Sequence, residues 1–111
     1  MNHEVVIEVY QDESGNEPFT KWLDSLKDHR TRARIDNRLE RVRAGNFGDF
    51  ESVGDGVFEL RLPFGAGYRI YYGRWRHETV VLLAGGSKRT QARDIRKAKQ
   101  YWEDYQRNQN L

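Results

Sequence analysis

Cysteine is absent from this chain, which excludes a disulfide framework and any thiolate metal site. Proline occurs twice and methionine once, and no Pro-, Gly- or Ser-rich stretch reads as a linker. No apolar run approaches the length needed to cross a bilayer, and "MNHEVVIEVY" lacks the apolar core of a signal peptide. The expectation is a soluble cytoplasmic protein with no membrane association. The three histidines, His3, His29 and His77, stand far apart in sequence, so a metal site is not expected and no cofactor is implied. They are read as surface residues at the terminus, in a helix–helix loop and in a hairpin turn. His77 alone is placed where titration near neutral pH would be useful.

Cations are plentiful, and 14 of the 19 are arginine. The net charge is only +2, with a pI of about 9.0. Arginine's planar fork suits phosphate and carboxylate better than lysine's point charge does. The bias therefore points to an anionic partner, with a solvated surface as the competing reading. At 111 residues and 13.2 kDa one domain spanning 1–111 is expected.

"EVVIEVY" places Val5, Ile7 and Val9 on one face of a first strand. "DESGN" is turn chemistry, and Pro18 suits the first turn of a helix. Phe19, Trp22, Leu23 and Leu26 then recur at helical spacing. A second helix, from about Arg30 to Ala44, carries a stripe of Ile35, Leu39 and Val42 and stops at Gly45-Asn46. "GVFELRLP" alternates, with Phe58, Leu60 and Leu62 on one side and Val57, Glu59 and Arg61 on the outward side. "YRIYYG" alternates likewise, Tyr68, Ile70 and Tyr72 against Arg69 and Tyr71. "TVVLLA" is apolar on both faces, the mark of a covered strand. Short connections join these three strands as an antiparallel meander. A last helix, roughly Thr90 to Arg107, buries Ala92, Ile95, Ala98, Trp102 and Tyr105. The order is β-α-α-β-β-β-α, an α+β domain with a largely antiparallel sheet, a helical hairpin and a C-terminal helix.

The informative stretch is "LLAGGSKRTQARDI". It carries neither the spacing of a nucleotide-binding P-loop nor the dinucleotide G-x-G-x-x-G pattern. Yet an apolar strand runs into two glycines and then two cations at a helix start. The first helical turn presents free N–H groups and a positive dipole end. Glycine lets backbone approach a ligand closely. Lys88 and Arg89 add full charges where they oppose the dipole, a cost of about 0.3–1 kcal/mol each. Arg89, Arg93, Arg96 and Lys97 are spaced to share a face away from Ile95 and Trp102. Either the chain turns a corner beside a solvated face, or an anion binds there.

The strands carry the other half of the argument. Arg61 and Arg69 occupy outward positions of neighbouring strands, and Glu59 and Tyr71 alternate onto the same faces. Brought into register, they converge near Lys88. Cations for a pentavalent oxyanion and a group to exchange protons are what phosphodiester cleavage requires. Tyrosines offer stacking surfaces for single-stranded RNA. The alternative is that Glu59 and Arg61 simply pair on a sheet surface.

The segment Phe58–Tyr105 resembles the addiction-module killer proteins of the RelE/HigB-type toxin superfamily. "ELR", the "GYRIYYG" strand and "LLAGGSK..Q..DI..AK" carry the resemblance. It implies a RelE-like fold and a type II toxin that cleaves messenger RNA at the ribosome without a metal. It also implies attack by the 2′-hydroxyl on the neighbouring phosphate. The implied partners are the ribosome, messenger RNA and a cognate antitoxin, a small helix-turn-helix protein. By the same resemblance Arg61, Arg69, Lys88 and Arg89 are catalytic. Glu59, Tyr68, Tyr71 and Asp94 are the candidates for proton transfer. Gln91, Arg93, Arg96 and Lys97 are candidates for RNA binding, with Gln91 and Asp94 matching a subfamily pattern. RelE-type enzymes have lysines where this chain has Val57 and Glu59, and a tyrosine where it has Ile95.

Those departures keep two alternatives open: a non-catalytic ParE-like relative that binds DNA gyrase, and a plain nucleic-acid-binding module. The second helix bears on the choice. Arg30, Arg32, Arg34, Arg38, Arg41 and Arg43 are interrupted only by Asp36 and Glu40. They form either a solvated face or a track for RNA phosphates.

Overall fold

A computed structural model describes residues 4–109, so His3 lies outside the described residues. The strands are β1 (Val6–Val9), β2 (Phe50–Gly54), β3 (Val57–Arg61), β4 (Arg69–Trp75) and β5 (Thr79–Gly86). The helices are α1 (Pro18–Ser25), α2 (His29–Arg43) and α3 (Gln91–Gln109), the last preceded by a 3-10 turn at Lys88–Thr90. The sheet order is β1-β5-β4-β3-β2. Strands β5, β4, β3 and β2 are antiparallel neighbours, and β1 joins the β5 edge in parallel. The α+β class, the meander and the helical hairpin agree with the sequence. The element order gains a strand, β2, before β3.

Strand β2 is exposed along most of its length, so it shows no alternation. What makes it is the turn after it. Asp55 and Gly56 have φ of 55° and 82°, the left-handed pair of a two-residue hairpin loop.

Two apolar layers sandwich the sheet. Phe19, Trp22 and Leu23 of α1, Leu26 just after it, and Ile35, Leu39 and Val42 of α2 pack on Leu60, Leu62, Ile70, Tyr72, Val80 and Leu82. Val5, Ile7 and Val9 complete this layer, as their alternation required. On the other face Ala98, Trp102 and Tyr105 of α3 cover Val57, Tyr71, Val81, Leu83 and Ala84. The face bearing Glu59 and Tyr71 is therefore not outward: α3 closes over it, and both residues are buried.

Helix α3 is also rotated from its expected setting. Asp94, not Ala92, begins its buried stripe, Ala92 is exposed and Ile95 is half-buried. The reason is a carboxylate with a partner, since the Thr90 hydroxyl donates to Asp94 Oδ2 at 2.5 Å. A buried acid is tolerated when it is hydrogen-bonded. His29 is the first residue of α2 rather than a loop residue, while His77 lies in the β4–β5 turn with φ 62°.

Arg38 ties the α2 layer to the sheet. It is buried, and its guanidinium donates to the carbonyls of Arg61, Phe47 and Asp49 at 3.0, 2.7 and 3.0 Å. Three carbonyls at the β2–β3 end are thereby satisfied by one side chain, which is removed from any phosphate-tracking role. No helix is long and apolar enough to cross a membrane among the described residues.

Candidate functional site

The corner where β5 meets α3 is built by a β-bulge. Tyr71 faces Ala84 while Tyr72 faces Leu82, so Leu83 is the extra residue on β5. A bulge reverses the alternation beyond it. Val81 and Leu83 face α3 before it, and Ala84 and Gly86 face α3 after it. Gly85 is thereby turned toward α1, where Trp22 ring atoms lie 2.1 Å from the position a Cβ would take. At Gly86 that position lies 1.9 Å from Asp94 Oδ2. The glycine pair, expected to admit a ligand, instead seats a tryptophan on one face and a carboxylate on the other.

Ser87 and Thr90 cap the start of the helical segment reciprocally, with Lys88 and Arg89 exposed between them. The Lys88 amide donates to Ala66 O at 3.3 Å, which docks the β3–β4 turn onto this corner. Gly67 in that turn has φ +70°, and a Cβ there would lie 3.2 Å from Lys88 Cβ and 3.5 Å from Arg69 Nη1. Lys88 and Arg69 thus both pack against one glycine.

Arg61 and Arg69 face each other directly in the β3–β4 register, and Glu59 faces Tyr71. The four side chains share a face, as the alternation required. Their contacts then diverge. Arg69 Nη1 donates to Gly67 O at 2.7 Å and Nε lies 3.4 Å from Glu59 Oε1. Arg61 turns the other way, donating to Glu51 Oε2 at 2.6 Å and to Asp49 Oδ1 at 3.1 Å. The Asp49 hydrogen bond and charge raise the Arg61 pKa further, with Glu51 adding to the effect. Two carboxylates thus neutralise Arg61 at the β2 edge. The residues that hold it, Asp49 and Glu51, were not singled out in the sequence because β2 was not recognised.

The candidate proton carriers are enclosed. Glu59 is 2% exposed, and its Oε1 accepts from Gln91 Nε2 at 2.8 Å. Gln91 therefore turns inward, onto Glu59. Tyr71 is fully buried, and its hydroxyl has no hydrogen-bond partner among the described residues. Burial first, then the Glu59 and Asp94 charges, raise its pKa, so the phenol stays protonated at neutral pH. Tyr68 lies on the opposite sheet face, edge-on to Trp22 and Phe64 at 6.0 and 6.2 Å between centroids. Asp94 is held by Thr90, with Arg93 Nε 3.8 Å from its other oxygen. Arg93, Arg96 and Lys97 are exposed along α3.

A second basic feature lies beyond the β3–β4 turn. Arg34, Asn37, Arg38 and Arg41 of α2 and Leu62, Pro63 and Phe64 line a cleft of about 320 Å³. The Arg34 guanidinium sits 4.1 Å from the Phe64 ring centroid, a cation–π contact. Arg32 pairs with Asp24 and Arg43 with Glu40. Among the described residues no carboxylate lies within ion-pairing distance of Arg34 or Arg41.

Residues 21–103 match the family described as phage-derived protein Gp49-like. A relative from Haemophilus influenzae, described only as an uncharacterized protein, is 49% identical over 81 residues. That alignment covers 73% of this chain and 82% of the relative.

Proposed function

The chain belongs to the phage-derived Gp49-like protein family, and from that membership and the corner's geometry we propose a toxin of a type II toxin–antitoxin system. Its activity on this reading is cleavage of messenger RNA at the ribosome, and its protein partner a helix-turn-helix antitoxin. One observation carries the reading: Arg69, hydrogen-bonded to Gly67 and ion-paired with Glu59, lies beside Lys88 at the exposed start of α3. A guanidinium whose direction is set in advance stabilises developing negative charge without reorganising. Lys88 and Arg89 supply the exposed charges, and Arg93, Arg96 and Lys97 extend them along the helix.

The chemistry is transesterification. The RNA 2′-oxygen attacks the neighbouring phosphorus, the bond to the 5′-oxygen breaks, and a 2′,3′-cyclic phosphate and a 5′-hydroxyl result. The proton lost by the 2′-hydroxyl is balanced by the one the 5′-oxygen gains. Arg69 and Lys88 stabilise the pentavalent phosphorane between these states. Arg61, neutralised by Asp49 and Glu51, contributes no phosphate contact in this scheme.

A specific observation favours a second reading. Glu59, Tyr71 and Asp94 are all enclosed between α3 and the sheet, which supports a non-catalytic toxin that acts through protein contact, as a ParE-like gyrase binder would. Expressing the protein without an antitoxin and mapping message 5′ ends by primer extension separates the two. Codon-phased ends in translated messages support the nuclease. Growth arrest with DNA damage signalling and intact messages supports the gyrase binder, and unimpaired growth contradicts both.

A further inference from the structure

A carboxylate taken out of water is expensive to keep unless it is paired and hydrogen-bonded. Glu59, at 2% exposure, is both. A single oxygen, Oε1, accepts from Gln91 Nε2 at 2.8 Å and lies 3.4 Å from Arg69 Nε. Gln91 comes from the first turn of α3, Glu59 from β3 and Arg69 from β4. One oxygen therefore ties three elements together at the corner.

Arg69 carries the consequence. Nη1 is held by Gly67 O at 2.7 Å, and Nε is enclosed against Glu59. Among the described residues Nη2 has no hydrogen-bond partner, and it is not among the enclosed nitrogens. Nη1 is thus hydrogen-bonded to the turn, and Nε is enclosed beside the Glu59 carboxylate, ion-paired at 3.4 Å without a hydrogen bond. The fork is restrained from two sides, and its Nη2 edge is left toward the surface. A group held this way loses little freedom on meeting a phosphate, which is the main gain from preorganisation.

We infer that Gln91 and Glu59 form a positioning pair that aims the Nη2 edge of Arg69 at the scissile phosphate, and that Glu59 does not itself exchange the proton. The inference rests on the RNA-cleaving reading above. It reassigns both residues, Gln91 from gripping RNA and Glu59 from acid–base chemistry. The groups facing Glu59 agree with this role. They are an arginine, an amide and the buried hydroxyl of Tyr71, with Glu51 opposite on β2.

The test compares wild type, Glu59→Gln and Gln91→Ala in single-turnover cleavage of ribosome-bound message across pH. Glu59→Gln keeps an acceptor oxygen in place, so it should lose less than about tenfold in rate and keep the wild-type pH profile. A general acid or base typically supplies about 10²–10⁴-fold. A loss of that size, with one limb of the profile gone, would overturn the inference. Gln91→Ala should lower the saturated single-turnover rate by about ten- to a hundredfold while the half-saturating ribosome concentration moves little, as misaimed groups do. Gln91→Met, which fills the space without the donor, serves should the alanine variant not fold. A Gln91 variant that cuts at the wild-type rate also overturns the inference.

An arm independent of activity follows the Arg69 Nε–H signal by nitrogen-15 NMR. Its hydrogen exchange should be slow in wild type and at least tenfold faster in Gln91→Ala, and equal rates would overturn the pairing. If wild type cuts no message, the nuclease reading fails, and this exchange measurement still decides whether the pair holds Arg69.

Discussion

Asp94 Oδ2 lies 1.9 Å from the point a Cβ on Gly86 would occupy, so helix and strand interlock there through an absent side chain. The bulge at Leu83 turns Gly86 toward α3, and the helix answers with a buried acid anchored on Thr90. Gly86→Ala should therefore destabilise the fold by about 2 kcal/mol, the usual cost of overpacking. For a chain of this size that is a fall in Tm of roughly 10 °C. Because the severest clash is with Asp94, the Thr90 hydroxyl lying farther off at 2.9 Å, Gly86→Ala and Asp94→Ala together should cost less than their sum. Thermal unfolding of the single and double variants checks this, and strict additivity would contradict it.

Arg38 is the second stability prediction. It serves three backbone carbonyls from a buried position, and hydrogen bonds from a charged donor contribute about 1.5–3 kcal/mol. Arg38→Ala should cost about 3 kcal/mol or more in urea unfolding. Arg38→Lys should recover little of that, because a point charge cannot reproduce the fork. RNA binding by whatever fraction of Arg38→Lys is folded should be unchanged.

Alkaline unfolding follows from the buried phenols. Burial raises Tyr72 from 10.0 to about 12, with the nearby Arg74 and Arg38 charges only partly opposing it. Burial and then the Glu8 charge raise Tyr105 to about 12 as well. A folded pKa above the unfolded one means the folded state holds its proton more tightly. That stability is complete below pH 10 and is lost as pH rises toward 12. Tyrosinate absorbance and far-ultraviolet circular dichroism, recorded together, should show these two rings ionising only as the helices melt. Their ionisation in a still-folded protein near pH 10 would refute the assignment.

The α2 cleft yields a salt-dependence prediction. Arg38 serves the backbone and Arg32 and Arg43 have carboxylates, whereas Arg34 and Arg41 line the cleft without one. If RNA follows this face, Arg34→Ala with Arg41→Ala should weaken single-stranded RNA binding. It should also flatten the log–log salt slope by about 1.4, the value for two phosphate contacts. An unchanged slope would assign both arginines to a solvated face.

The helical stripes of α1 and α2 and the alternation of β1 were legible because each buries one face, and burial is what periodicity records. The polar Glu59, Arg61 and Arg69 made β3 and β4 look half-exposed, although α3 covers their second face. Strand β2 was not legible, because an exposed edge strand has no face to alternate, although Asp55-Gly56 marked its turn. Helix α3 misled at Asp94: the expected stripe ran through Ala92 and Ile95, while Thr90 and Gly86 had made room for the carboxylate inside. The bulge left no trace within "VVLLA", since a strand apolar on both faces has no phase to lose. Arg61 and Arg69 looked equivalent by alternation, and their partners distinguish them: Asp49 and Glu51 for Arg61, Gly67 and Glu59 for Arg69.

The most direct test of the Arg69 corner sets Arg69→Ala against Arg61→Ala, each expressed without an antitoxin and followed by primer extension on a translated message. Both variants must first show a folded far-ultraviolet spectrum. With both folded, Arg69→Ala should abolish the cleavage ends and restore growth, while Arg61→Ala keeps the ends at their wild-type positions. Undiminished cutting by folded Arg69→Ala, or loss of cutting only in Arg61→Ala, would contradict a site built around Arg69 and Lys88.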